Sequence, residues 1–138
     1  MLWGIIFWLL FLSAAGYVLI KGDFHKRLAI GTMIFGVVAT TIAYGSGSHK
    51  WLPLNVSVLL IDIIALIAFA WIARASREIW PLFLVGWQIA TVTIHIASSF
   101  AVSLLPNAYG IGQGIWSYLQ FGTILVATVL AQRKQKPI

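Results

Sequence analysis

Apolar runs of membrane-spanning length follow one another along the chain, separated by short stretches that carry nearly all of the charge. The runs cover residues 2–20, 28–44, 54–73, 79–105 and 107–131. At a rise of about 1.5 Å per residue, a helix of ~20 apolar residues crosses a hydrocarbon core about 30 Å thick. In hydrocarbon the backbone finds no water, and a helix satisfies its polar groups internally. The pattern therefore predicts an all-α polytopic transmembrane helix bundle of five helices, a single domain over residues 1–138. The second run is the shortest, and "GSGSHKWLP" at 45–53, rich in Gly and Ser and closed by Pro, reads as the clearest loop.

Composition strengthens this reading, since 61% of the residues are hydrophobic and 9% charged, far outside the soluble range. Nine basic residues face three acids, a net charge of +6. They cluster between the runs, so they read as topology signals and not as a nucleic-acid surface. With five spans, Lys21, Lys26, Arg27, Arg74, Arg77, Arg133, Lys134 and Lys136 fall on one side, and Lys50 alone on the other. The positive-inside rule then predicts an N-terminus outside and a C-terminus in the cytoplasm, with membrane lipids as the basic residues' partners. Ser13-Ala14-Ala15-Gly16 resembles a cleavage site, yet no basic stretch precedes the first run, so a retained helix is expected. Trp51, Trp71, Trp80 and Tyr109 sit near span ends, as interfacial aromatics do, whereas Trp8, Trp87 and Trp116 lie deeper and read as packing.

Residues 79–131 hold no formal charge, yet "GWQIATVTIHIASS" at 86–99 carries a glutamine and a histidine. At 100° per residue Gln88, Thr91, His95, Ser98 and Ser99 share an arc of about 100°. In the last run Gln113, Ser117, Gln120 and Thr123 share an arc of about 120°. Asp62 is the one acid well inside an apolar run, and such an acid is a functional-site hypothesis by default. Its opposite face, Leu60, Ile64 and Ile67, is aliphatic, so Asp62 is expected to face protein. Counting inward from the non-cytoplasmic ends places Asp62, His95 and Ser117 within about 3 Å of one level. The candidate proton- or ion-handling set is thus Asp62, His95, Gln88, Ser117 and Gln120, against the plainer alternative of interhelical glue. Thr32, Gly36 and Thr40 form a small-xxx-small face suited to helix packing.

Other chemistries find little support. Cysteine is absent, and His25, His49 and His95 fall in three separate regions, so neither a metal site nor a haem is expected and no cofactor is assigned. No nucleophile elbow, phosphate loop or paired carboxylate motif occurs, and an enzyme is not expected.

Asp62, Arg77, Trp80-Pro81-Leu82, His95, Tyr109 and Trp116-x-Tyr118 resemble a loose group of short polytopic membrane proteins of alphaproteobacteria with no known activity. The resemblance covers roughly residues 55–120 and implies a bacterial inner membrane. The expected function is a small oligomeric proton- or cation-handling unit of transporter or channel type. Alternatives are a non-catalytic accessory subunit among partner membrane subunits, and a phage-type membrane-lesion protein.

Overall fold

Each apolar run folds as one helix. A computed structural model describes residues 2–45, 56–100 and 106–135, and gives α1 Leu2–Lys21, α2 Phe24–Gly45, α3 Val56–Ser76, α4 Trp80–Phe100 and α5 Pro106–Gln135. All five are long and apolar enough to cross a membrane. The expected second span began at 28, but α2 starts at Phe24 because Asp23 caps it: Lys26 N donates to Asp23 Oδ1 (3.1 Å). The sequence placed His25, Lys26 and Arg27 in a loop, and they are helical. The last helix continues four residues past the expected 131, carrying Arg133 and Lys134 out on its final turn. Residues 54–55 and 101–105, most of the expected 45–53 loop with His49, Lys50 and Trp51, and the side chains of Ser99, Tyr109 and Gln113 lie outside the described residues.

Two short turns set the helices antiparallel. Gly22 N donates to Val18 O at 2.7 Å, and a Cβ at Gly22 would lie 2.5 Å from that same oxygen, so only glycine fits there. After α3 the chain reverses at Arg77, whose φ of 55° is a left-handed conformation usually left to glycine. Pro81 follows just inside α4, where its missing N–H costs no hydrogen bond.

The helices close a ring in chain order, α1 returning to α5, and α5 also reaches across to α2. Gln132 Nε2 donates to Lys21 O (2.8 Å), joining the C-terminal ends of α1 and α5. Lys26 Nζ lies 3.5 Å from Glu78, joining the start of α2 to the α3–α4 turn. The termini that carry basic residues thus gather at one end of the bundle, called here the basic end.

Most of that half of the interior is apolar, although Lys26 and Thr128 are buried there too. Val18, Ile30, Ile72, Leu84 and Ile124 are fully buried, with Phe11 and Phe69 nearly so. Phe11 and Phe121 meet edge to face at 6.1 Å between α1 and α5. Leu60, Ile64 and Ile67 point outward, more than half exposed, as lipid-facing residues do.

Candidate functional site

Inner-face spacing brings the polar residues together. On α3, Asp62 shares its inward stripe with Ala65, Phe69 and Ile72; on α4, Gln88 and His95 follow Pro81 and Leu84 at helical intervals. On α5, Gln120 precedes Ile124 and Thr128 on the buried face. Gln88 and His95 are seven residues apart, about 10 Å along the helix, yet both reach Asp62 from opposite sides.

The carboxylate is the terminus of a row of donors. Gln120 Nε2 donates to Gln88 Oε1 (2.6 Å), and Gln88 Nε2 donates to Asp62 Oδ1 (3.0 Å) and to the Asp62 carbonyl (3.1 Å). A flipped Gln88 would set its oxygen against two acceptors, so the network fixes the amide orientation. His95 Nε2 lies 2.9 Å from Asp62 Oδ2, while Oδ2 receives no hydrogen bond of straight geometry. The contact is short enough for a proton to pass once the ring tilts into line. The His95 side chain is 3% exposed and that of Asp62 17%. Isolated in the membrane, an ionised Asp62 would cost several kcal/mol; these partners offset much of that.

Beside the pair lies a cavity of ≈ 280 Å³. Asp62, Gln88, His95, Ser117 and Gln120 form one wall, and Thr32, Gly36 and Thr40 of α2 face them. A Cβ on Gly36 would meet nothing within 4 Å. The small-residue stripe therefore leaves space within the bundle, where the sequence suggested close helix contact. Most lining positions lie away from the basic end or midway along their helices; Asp62 is six residues from the start of α3 and His95 five from the end of α4. Towards the basic end the floor is apolar, with Ile30, Phe69, Leu84 and Ile124 all 0–1% exposed.

The cavity gathers the candidate residues that the sequence placed together, in different roles. Ser117, expected at the level of Asp62 and His95, lines the cavity, while Gln120 joins the hydrogen-bonded row. Thr91 and Thr123 hydroxyls donate to carbonyls one turn back, at Trp87 and Leu119, and Ser98 Oγ donates to His95 O. Trp8, read as packing, does pack edge to face against Phe7 and Phe11, with ring centres 6.0 and 6.2 Å apart, and also lines the cavity. Trp87 and Trp116 do stack on each other, with centroids 5.7 Å apart, but both indole N–H groups are buried without a hydrogen-bond partner.

Sequence reasoning missed Lys26. Counted as a surface signal, it is 2% exposed: it bonds Asp23, lies 3.5 Å from Glu78 and sits 5.4 Å from the centre of the Trp80 ring. Two of the three acids in the chain thus serve one lysine. Burial pushes the Asp23 carboxyl up, but the bonds from the Lys26 side chain and backbone, and its charge, outweigh that and hold it below its ordinary value. The local signal was there in Asp23-x-x-Lys26; Glu78, far along the chain, gave none.

Among the described residues no group of three or more His, Cys, Asp or Glu side chains could hold a metal ion. No protein-family model, curated protein or solved structure matches the chain.

Proposed function

We propose that this multi-pass protein handles protons or small cations, with Asp62 as the carrier, His95 as its proton partner, and Gln88, Ser117 and Gln120 as polar lining. One observation carries the reading: Asp62 and His95 are in contact, and among the described residues they are the only acid–base groups that line the cavity. A buried acid has a cost in the membrane, and its placement against a proton acceptor beside open space supports a use for it. The proposal includes a bacterial inner membrane with the basic end in the cytoplasm, following the positive-inside rule, so that the cavity faces outward. It also includes an oligomer, since five helices are few for a path that opens on both sides in turn.

The second reading is an accessory subunit in a larger membrane assembly, its polar layer serving as glue. The satisfied Gln120–Gln88–Asp62 row favours it, because such bonds stabilise helix contacts by about 0.6 kcal/mol each without further purpose. Purified protein in vesicles loaded with a pH-sensitive dye separates the two. The carrier reading expects an imposed potential to drive proton flux that Asp62→Asn abolishes, since amide and acid have nearly the same shape and only the acid titrates. Equal flux in Asp62→Asn and the unmodified protein would eliminate the carrier.

A further inference from the structure

The cavity is larger than a proton path requires. At about 30 Å³ per water its ≈ 280 Å³ would hold several molecules. A bare metal cation needs a close shell of six or more oxygens at about 2.3–2.6 Å, or a cluster of strong ligands. The cavity lining supplies one carboxylate, and among the described residues no cluster of three or more His, Cys, Asp or Glu could hold a metal ion. Three aromatic side chains, Phe7 and Trp8 of α1 and Phe69 of α3, line the same space as Asp62.

A carboxylate and ring faces around a space of this size are the chemistry that holds a cation whose charge is spread over methyl or methylene groups. Rings attract such an ion through their electron-rich faces, more strongly when water is excluded. We infer that the cavity binds a small organic ammonium ion, with Asp62 as its counter-ion and Phe7, Trp8 and Phe69 as its aromatic wall. The inference deepens the proposed function and rests on the same Asp62–His95 site.

Binding exchanges one partner of the carboxylate for another. Asp62 Oδ2, which takes no straight hydrogen bond, turns from the imidazole to the ammonium ion. The groups facing Asp62 bear this out element by element: His95 comes from α4, while α1, α2 and α5 contribute rings, hydroxyls, apolar side chains and the Gln120 amide, none of which titrates near neutrality.

Benzyltrimethylammonium is the probe, titrated calorimetrically into the full-length protein in lipid nanodiscs. We expect saturable one-to-one binding, weakened at least about tenfold by Asp62→Asn. Gly36→Leu is expected to block it equally while leaving Asp62 in place, because a side chain there enters open space. Circular dichroism identifies the folded variants to be compared. Failure to saturate at millimolar probe, or equal affinity in folded Asp62→Asn and Gly36→Leu proteins, would overturn the inference. Binding without proton flux in the vesicle assay would keep the ligand site and remove the carrier; flux without binding would do the reverse.

Discussion

Replacing Gln88 by leucine tests whether the row of amides holds the bundle together in the order its geometry dictates. Gln88 is 3% exposed and makes three side-chain hydrogen bonds, two to Asp62 and one from Gln120. At ~0.6 kcal/mol per interhelical bond the direct loss is about 2 kcal/mol, and Asp62 Oδ1, left without its donor, raises the total to about 2–3 kcal/mol. Gln120→Leu breaks the one bond to Gln88 and should cost about 1 kcal/mol. Once Gln88 is gone, the Gln120 amide is already orphaned, so Gln88→Leu/Gln120→Leu should be no less stable than Gln88→Leu alone. The cycle then shows a coupling of about 1 kcal/mol. Reversible unfolding in mixed micelles with increasing dodecyl sulfate, followed by circular dichroism, measures all four proteins. Strictly additive losses, or a Gln120→Leu cost equal to that of Gln88→Leu, would refute the row as drawn.

Lys26→Met should destabilise the protein by about 1 kcal/mol in the same assay, less than for a fully buried pair, because Asp23 and Glu78 are about half exposed and regain water. The Asp23 carboxyl lies below its ordinary 3.8 in the folded state, so its contribution is present above that pH and lost as the pH falls through the lower folded value; Lys26→Met should remove that acid-side loss, and an unchanged acid profile would count against the contact. Arg77→Gly should stabilise by about 0.5 kcal/mol by relieving the left-handed residue after α3, and Arg77→Ala should give no gain in the same titration.

Five helices were legible because hydrocarbon leaves the backbone no alternative, and the inward arc of Gln88 and His95 follows from helical spacing alone. What escaped was set by side-chain reach. Depth counted along helix axes placed Asp62, His95 and Ser117 at one level, but which of the candidates bond depends on the reach of the two glutamines, which carry the row from Asp62 to Gln120. Helix ends were missed where a local cap overrode the hydropathy pattern, as Asp23 does at α2. The Thr32, Gly36 and Thr40 stripe was visible, but small side chains mark either contact or space, and only the positions of α1 and α3 decide which.

The depth of Asp62 has an electrical side. The Gln88 and Gln120 carboxamides keep their N–H protons and pass none on, and the nearest side chains beneath are apolar, so in this arrangement the carboxylate exchanges charge with the cavity end. Asp62 lies six residues, about 9 Å, inside a helix roughly 31 Å long, which places it near 0.3 of the way through the transmembrane field. At ~2.3 kcal/mol per charge per 100 mV across the whole membrane, a charge moving between that end and Asp62 gains or loses about 0.7 kcal/mol per 100 mV. Site occupancy then changes about threefold for each such step. The cavity site is in this sense a voltmeter, its occupancy following the membrane potential before any charge is carried further.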